Sequence, residues 1–265
     1  MTGANTGIGK DVAEIMYSKN AKVYMLARSA EKTKAAIDSI KATVPRSTGE
    51  LIYLKLDLAD LLSVKAAAME FTQREDKLHI LFNNAGIGYP QEGTTTAQNY
   101  PLQLGVNCLG PFTLTKYLTP HLIDTAKDTP PGTVRNVWTS SSGIYGVDEN
   151  KFQKNIEKNK DESIVNQYLI SKMGNYMHST EFAKRHRTDG IVSVAINPGN
   201  LDSEFWRTLG SVTIWLMRKL LLYPAIYGAY TTLYAGTSPE VSIEKTGSFG
   251  EFAPELREPI DPYRD

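Results

Sequence analysis

Tyr168 and Lys172 are the two side chains of this sequence best suited to joint proton transfer. They lie four residues apart in a segment with a helical pattern, so a helix would present both on one face. A free tyrosine has a pKa near 10; a nearby ammonium would lower it and let the phenol exchange a proton with a carbonyl or alcohol oxygen. This spacing also occurs often by chance, so the pair needs support from other residues.

A run of three serines and a glycine, residues 140–143, directly follows a predicted strand. Open parallel sheets bind their ligands at the carboxyl ends of the strands, where a serine hydroxyl could hydrogen-bond a reacting oxygen. The alternative is a polar turn that only ends the strand.

Glycines at positions 3, 7 and 9 precede a helical pattern that covers Lys10–Ser18. Without side chains the backbone can turn sharply and approach a pyrophosphate closely, and the helix offers free N–H groups and the positive end of its dipole. Residues 2–9 therefore predict a phosphate-binding turn, although such a turn is a weak signal by itself.

Two further residues bear on which nucleotide would bind. Asp57 ends a predicted strand, where its carboxylate could accept from an adenine amino group or cap the next helix. Arg28 ends another, at a point where NAD-specific sites usually carry an acid, so an arginine favours a 2′-phosphate instead. A solvated surface charge is the alternative for Arg28.

Short apolar strand patterns alternate with longer helical patterns along the chain. The predicted strands are Lys22–Ala27, Leu51–Leu56, Leu78–Phe82, Val134–Thr139 and Ile191–Ile196. Such alternation implies right-handed crossovers and a parallel sheet covered by helices on both faces. We therefore predict an α/β fold with a Rossmann-like doubly wound sheet, in a single domain over residues 1–265.

In order and spacing these motifs resemble the short-chain dehydrogenase/reductase family over nearly the whole chain. The resemblance rests on TGANTGIG at 2–9, NNAG at 83–86, YLISK at 168–172 and NPG at 197–199. It implies a nicotinamide dinucleotide cofactor and an oxidoreductase that interconverts an alcohol and a carbonyl.

The resemblance also implies roles for individual residues. Ser140, taken as the serine three residues before a glycine, would bind the reacting oxygen beside Tyr168 and Lys172, and Asn107 would hold a proton-relay water. The implied cofactor contacts are Gly3, Asn5, Gly7, Ile8, Gly9, Arg28, Asp57, Asn84, Ala85, Gly86, Tyr168, Lys172, Pro198, Gly199 and Ser203.

Within the family, the chain looks most like the retinol-dehydrogenase-like and WW-oxidoreductase-like branch found in filamentous fungi. The long spacing from Ser140 to Tyr168 and the stretch Asn197–Leu201 carry this impression. Arg28 matches the basic residue of NADP-preferring members, so the expected cofactor is NADP(H). Such members tend to act on lipophilic alcohols and carbonyls, and fungal ones often tailor secondary metabolites, so a small lipophilic substrate is expected.

The start of the chain departs from the family pattern. In the family an apolar strand precedes the motif that begins at Thr2, and here only Met1 precedes it. We therefore expect the central first strand to be missing and its neighbours to face a gap. Such a chain is expected to be unstable or to bind nucleotide poorly.

Two segments admit more than one interpretation. The highly charged stretch Val147–Ser163 is expected to be a solvated insertion, with a lid over the substrate as the alternative. The apolar stretch Val212–Gly236 is interrupted by Arg218, Lys219 and Pro224, so it predicts a buried or substrate-facing helical pair rather than a membrane contact.

Composition and the remaining motifs exclude several classes of protein. Lys+Arg and Asp+Glu both number 29, so no field that attracts nucleic acid is expected. The chain has no GxSxG elbow and no zinc-ligand spacing, so neither a hydrolase nor a metal site is expected. Cys108 is the only cysteine, which fits a reducing compartment and a cytoplasmic location.

The main alternative to an active enzyme is a truncated or inactive relative that serves as a nucleotide-binding or interaction module. Intact catalytic positions favour the enzyme, whereas the expected missing strand favours the alternative. Sequence leaves open the substrate, the direction of the reaction and whether the chain forms a homo-oligomer.

Overall fold

The structure is a computed structural model that describes residues 1–148, 152, 157, 161–202 and 211–250. Its strands are β1 (Lys22–Ala27), β2 (Glu50–Lys55), β3 (Ile80–Asn83), β4 (Arg135–Thr139), β5 (Val192–Ile196), β6 (Leu201–Asp202), β7 (Tyr223–Pro224) and β8 (Phe249–Gly250). Its α-helices are α1 (Gly7–Ser18), α2 (Ala30–Thr43), α3 (Leu61–Arg74), α4 (Leu102–Leu104), α5 (Gly110–Lys127), α6 (Ile164–His186), α7 (Ser211–Leu220) and α8 (Ala225–Thr237). The π-helical turn Gly105–Leu109 joins α4 to α5.

The main strands form a parallel sheet in two hydrogen-bonded groups. β1 pairs with β2, and β3, β4, β5 and β8 follow one another in that order. Because parallel strands run in one direction, the carboxyl ends of β1 to β5 lie along one edge of the sheet. The predicted Rossmann-like α/β fold is confirmed, and the five predicted strands are correct to within two residues.

Residues 1–3 lie between the two groups, where the first strand was expected. Gly3 N donates to the Leu26 carbonyl at 2.8 Å, and Thr2 N donates to the Phe82 carbonyl at 3.1 Å. Leu26 N in turn donates to the Met1 carbonyl at 3.0 Å. The described residues form no full strand here, but the expected open gap is bridged at the carboxyl ends of β1 and β3, where the glycine turn begins.

Strand β1 shows how helices cover both faces of the sheet. Val23 and Met25 pack into one apolar core with residues of α1 and α8. Tyr24 and Leu26 pack into a second core with residues of α3 and α5. Alternate side chains of a strand point to opposite faces, and burial of each such side chain stabilises the fold by about 1.5–3 kcal/mol. The two cores therefore fix the sheet edge on which the polar residues lie.

Helices α7 and α8 form the helical pair predicted in Val212–Gly236. Ala229 and Ala235 of α8 are fully buried. In contrast, Trp215 and Leu220 of α7 are 58% and 75% exposed, so these two side chains are not buried, and the substrate-facing alternative stays a prediction for α7. Over the described ranges, no helix combines the length and the apolar character needed to cross a bilayer.

Candidate active site

A cleft of about 1100 Å³ runs along the carboxyl edge of the sheet. Small-molecule sites usually occupy about 300–1,000 Å³, so this cleft has room for a dinucleotide and a small substrate together. The expected site residues that line it are Gly3, Asn5, Gly7, Ile8, Gly9, Arg28, Asp57, Asn84, Ala85, Gly86, Ser140, Tyr168, Lys172, Pro198 and Gly199. The structure thus brings together residues from both halves of the sequence.

The glycine turn depends on the absence of side chains at two positions. Gly3 has a φ of +67°, a conformation that favours glycine, and a Cβ there would lie 3.1 Å from Ala85. A Cβ on Gly9 would overlap the Gly3 carbonyl oxygen. Because the turn is this tight, the first turn of α1 lines the cleft and presents the positive end of its dipole, which favours a phosphate.

The Thr2 hydroxyl ties the glycine turn to the NNAG motif. It accepts from the backbone N–H of Asn84 at 3.0 Å and from that of Ala85 at 2.9 Å. Asn84 Nδ2 also donates to the Thr2 carbonyl at 3.1 Å. On the other side of the motif, a Cβ on Gly86 would lie 3.2 Å from Lys172 Nζ. The NNAG backbone therefore runs between the phosphate-binding turn and Lys172.

Arg28 and Lys32 place two exposed basic side chains at one end of the cleft, on either side of Ser29. Ser29 Oγ accepts from Lys32 N at 3.2 Å and thereby caps α2. A helix N-terminus and two cations together favour a bound phosphate. The sequence pointed to Arg28 at this end of the cleft but not to Lys32, because a lysine inside a helical pattern looks like a solvated surface charge.

Asp57 follows β2 and lines the same cleft. Its Oδ1 accepts from the backbone N–H of Ala59 at 2.9 Å, which forms a short turn. The residue that caps α3 is Asp60, which accepts from Leu62 N at 3.0 Å. The helix-cap alternative for Asp57 is therefore wrong, and its carboxylate belongs to the cleft.

Tyr168 and Lys172 lie one turn apart on α6, as predicted. Lys172 is 4% exposed, and its Nζ lies 5.9 Å from the centroid of the Tyr168 ring. Nζ donates to the carbonyl of Thr139 at 2.9 Å. Burial lowers the pKa of Lys172 to about 8, against the opposing effect of Cys108. The charge of this amine therefore changes close to neutral pH.

The Tyr168 phenol does not show the lowered pKa that the sequence predicts. Burial raises the pKa of Tyr168, a hydrogen bond with the Ser141 side chain opposes that rise, and Tyr89 adds to it. The Lys172 ammonium is not among the groups that shift this pKa, and its Nζ donates to the Thr139 backbone carbonyl instead. At neutral pH the phenol keeps its proton, which is the state that can donate to a carbonyl oxygen.

The serine run presents a different hydroxyl from the one expected. Ser140 is 2% exposed, and its Oγ donates to the backbone carbonyl of Lys172 at 2.8 Å. Ser141 instead hydrogen-bonds the side chain of Tyr168. The side chains of a strand and its extension alternate in direction, so neighbouring serines point to opposite sides. The hydroxyl that meets Tyr168 is therefore that of Ser141, where the sequence predicted Ser140.

Asn107 lies in the π-helical turn between α4 and α5 and is fully buried. Its Oδ1 accepts from Ile87 N at 2.8 Å, and its Nδ2 donates to the Ile87 carbonyl and to Ser171 Oγ, both at 3.0 Å. The side chain therefore clamps the loop after NNAG against α6. The expected role of holding a proton-relay water stays a prediction, and π-helical turns are frequent at functional sites.

The turn after β5 borders the far side of the cleft. Pro198 and Gly199 line it, and Gly199 has a φ of +90°. The expected cofactor contact Ser203 lies outside the described residues, and so does most of Val147–Ser163, for which the sequence predicts a solvated insertion with a lid as the alternative.

Cys108 and His178 form a buried pair near Lys172. Cys108 Sγ lies 3.3 Å from His178 Nε2. Burial raises the pKa of the thiol to about 12 and lowers the pKa of the imidazole to about 4, so both are neutral at pH 7. Cys108 is thus a packing residue here rather than a nucleophile. Within the described part of the chain, no three His, Cys, Asp or Glu side chains lie close enough to hold a metal ion.

Comparison with known sequences agrees with this geometry. Residues 1–150 match the family described as short chain dehydrogenase. A short-chain dehydrogenase/reductase of Phomopsis amygdali is 45% identical over 270 aligned residues, which cover 98% of this chain and 80% of that protein. The chain is a short-chain dehydrogenase/reductase. A second relative of this dehydrogenase, the short-chain dehydrogenase/reductase sthC of Phaeosphaeria nodorum, is 42% identical over 95% of the chain and 82% of its own length.

Solved structures share the fold of this dehydrogenase. The Pseudomonas aeruginosa RhlG/NADP active-site complex matches with a TM-score of 0.73 over 94% of this chain and 91% of that one, at 20% identity. L-Sorbose reductase from Gluconobacter frateurii, complexed with NADPH and L-sorbose, matches with a TM-score of 0.70 over 94% and 92%, at 18% identity. Family membership makes the chain an oxidoreductase of the class that acts on CH–OH groups.

Proposed function

We propose that this dehydrogenase uses NADP(H) to interconvert an alcohol and a carbonyl on a small lipophilic substrate. The observation that carries the proposal is the hydrogen bond between the side chains of Ser141 and Tyr168, which lie on different elements and meet in the cleft. Two adjacent hydroxyl groups can bind one substrate oxygen. Lys172 lies one turn from Tyr168, and the phosphate-binding turn lies along the same edge of the sheet.

The residues of the cleft fit a nicotinamide dinucleotide. Gly9 lets the glycine turn pack closely against the start of α1, and the first residues of α1 line the cleft, where the helix N-terminus suits a pyrophosphate. Asn84, Ala85 and Gly86 would border the adenosine side, and Pro198 and Gly199 the nicotinamide. When bound, the nicotinamide supplies or accepts the hydride.

The proton moves through the chain's own side chains. In the reducing direction, Tyr168 donates its phenolic proton to the carbonyl oxygen of the substrate, while Ser141 donates a hydrogen bond to the same oxygen. The Lys172 ammonium then stabilises the phenolate, because an opposite charge within about 4–6 Å favours the charged form. In the oxidising direction, the phenolate accepts the proton of the alcohol.

Preference for NADP(H) over NAD(H) is assigned to the basic corner formed by Arg28 and Lys32. Ser29 caps α2 between them, so a 2′-phosphate there would meet two cations and a helix N-terminus. Two of the similar structures support the same preference. The Pseudomonas aeruginosa structure is a complex with NADP, and the Gluconobacter frateurii structure is a complex with NADPH.

A small lipophilic substrate fits the part of the cleft near Tyr168. The Tyr89 ring lies 5.9 Å from the Tyr168 ring, and Leu102, Leu169 and Leu201 are among the other apolar side chains that line the cleft. The relatives from Phomopsis amygdali and Phaeosphaeria nodorum are fungal, which agrees with the resemblance to the fungal retinol-dehydrogenase-like and WW-oxidoreductase-like branch. We propose that the reaction tailors a secondary metabolite.

Self-association of this dehydrogenase is part of the proposal. Phe112 and Tyr117 on α5 and Met177 on α6 are 43%, 40% and 36% exposed. We take the chain to form one domain over residues 1–265. Large exposed apolar side chains on neighbouring helices favour a contact between two copies of this domain. Light scattering on the purified protein would show a dimer or larger species, and a strictly monomeric protein would contradict this part.

The experiment that tests the function follows NADPH absorbance while lipophilic ketones and aldehydes are offered to the purified protein. We expect turnover with at least some of them, and slower turnover with NADH. Protein that binds NADPH yet turns over none of them would favour the alternative of an inactive nucleotide-binding module.

A further inference from the structure

The carbonyl of Thr139, at the end of β4, accepts two hydrogen bonds from side chains of α6. Lys172 Nζ donates at 2.9 Å, and Asn175 Nδ2 donates at 3.0 Å. Asn175 is 1% exposed and lies outside the residues that line the cleft, whereas Lys172 and Thr139 both line it. One backbone oxygen therefore links a residue of the cleft to a buried asparagine that does not face the cleft.

Asn175 makes this contact at an energetic cost. Its Oδ1 is buried and has no hydrogen-bond partner among the described residues. A buried polar atom without a partner destabilises the fold, so an apolar side chain would pack here more favourably. An apolar side chain would lack the Nδ2 donor of Asn175. This donor binds the Thr139 carbonyl, which also accepts from Lys172.

We propose that Asn175 is a positioning residue for Lys172, keeping the Thr139 carbonyl paired when the lysine turns from it toward Tyr168 and the dinucleotide. This rests on the proposed function, in which Lys172 acts on those two groups. Without Asn175, the turned lysine would leave a buried carbonyl unpaired, and the lysine would be held back at Thr139. The asparagine thus frees the amine to move.

Within the described ranges, two titratable groups are recorded close to Lys172. The Cys108 thiol faces it from the π-helical turn, and the Tyr168 phenol faces it from its own helix. Burial keeps both protonated at neutral pH. A carboxylate introduced at position 175 would therefore raise the pKa of Lys172 without a second negative charge among these neighbours.

The substitution Asn175→Asp gives the sharpest test, because it keeps the shape of the side chain and replaces its donor with a carboxylate. Asn175 Nδ2 and Lys172 Nζ both lie within 3.0 Å of one oxygen. A carboxylate there would be within about 6 Å of the ammonium, which raises the pKa of the lysine and draws the amine away from the cleft. Asn175→Ala removes the donor without adding charge.

The first measurement uses the protein without cofactor. The ¹³Cε signal of Lys172, assigned with Lys172→Arg, is titrated in wild type and in Asn175→Asp, and we expect the pKa to rise by about one unit or more in the variant. The second measurement is NADPH affinity by fluorescence, which we expect to fall about tenfold in both variants. Asn175→Ser, which keeps a small donor, should recover part of the affinity.

Ser179→Ala is the matched control. Ser179 is fully buried one turn further along α6, and its hydroxyl lies 3.3 Å from Ser193 Oγ rather than near Thr139. This control should change the melting temperature while leaving the lysine titration and NADPH affinity unchanged.

The proposal is overturned if Asn175→Asp leaves the lysine titration unchanged, or if Asn175→Ala binds NADPH as tightly as Ser179→Ala does. If the aspartate variant does not fold, the affinities of the alanine and serine variants decide. Neither readout requires turnover, so failure to find a ketone substrate would count against the proposed function and leave this result standing.

Discussion

The Ser140 hydroxyl donates a buried hydrogen bond of 2.8 Å to the backbone carbonyl of Lys172. This bond fixes α6 against the end of β4 and turns the Ser140 hydroxyl toward the helix backbone. The next residue, Ser141, hydrogen-bonds Tyr168 instead. Two adjacent serines therefore make separate contacts, one with the helix backbone and the other with the Tyr168 side chain.

Substitution of each serine should separate the effects of these contacts. Ser141→Ala removes a donor to the substrate oxygen, so we expect kcat to fall about 10²–10³-fold with little change in melting temperature. Ser140→Ala removes a buried hydrogen bond worth about 1 kcal/mol, so we expect a lower melting temperature and a smaller loss of kcat. Steady-state kinetics and thermal melts on both variants provide the check. An unchanged melting temperature with the greater loss of kcat in Ser140→Ala would restore the original assignment.

Tyr168→Phe removes the transferable proton and little else. Since a general acid contributes about 10²–10⁴-fold, we expect kcat to fall by that factor while NADPH affinity stays close to wild type. Steady-state rates and fluorescence titration measure the two quantities. Tyr145→Phe, at an exposed tyrosine elsewhere on the chain, should keep wild-type activity. More than a tenth of wild-type rate in Tyr168→Phe would show that another group supplies the proton.

Arg28 and Lys32 should together set the choice of cofactor. Arg28→Asp replaces a charge that attracts the 2′-phosphate with one that repels it, so we expect NADPH affinity to fall about 10²-fold and NADH affinity to hold or improve. Lys32→Ala should weaken NADPH alone, by about tenfold. Lys41→Ala, at an exposed lysine in the last turn of α2, is the control and should change neither affinity. Equal affinities of the wild type for NADPH and NADH would remove the basis for this assignment.

The sheet was predictable from sequence because its strands are short apolar runs bounded by polar turns. All five predicted strands appear, and β1 matches at both ends, since Lys22 and Arg28 flank an apolar run that is buried on both faces. Tyr168 and Lys172 were also predictable, because helical spacing alone places residues four apart on one face.

The rest of the site depends on the directions in which side chains point, which residue types alone do not encode. Ser140 and Ser141 are identical in sequence terms, and only the course of the chain after β4 decides which one meets Tyr168. The raised pKa of Tyr168 likewise depends on how deeply the folded chain buries the phenol, while the nearby amine of Lys172 donates to Thr139. The sequence gave no reason to single out Asn175, because its proposed role depends on a hydrogen bond to the Thr139 carbonyl on a different element.

Asp11, on α1, should make stability depend on pH. Burial raises the pKa of its carboxyl from 3.8 to about 6, Glu14 adds to the rise, and Lys10 opposes it. Because the folded pKa is the higher one, the folded state binds this proton more tightly. The resulting stabilisation is fully present below pH 3.8 and is lost as pH rises through about 6.

At pH 7.5 the folded protein therefore carries an ionised, partly buried carboxylate at a cost. Discounted for partial exposure, that cost is about 1–2 kcal/mol, so Asp11→Asn should raise the melting temperature by about 2–6 °C. The gain should shrink at pH 5, where the folded wild type has mostly taken up the proton. Thermal melts at both pH values measure it, with Asp38→Asn, at an exposed aspartate paired with Lys34, as the control without a gain. An equal gain for Asp11→Asn at pH 5 and pH 7.5 would show that helix propensity, rather than buried charge, accounts for the effect.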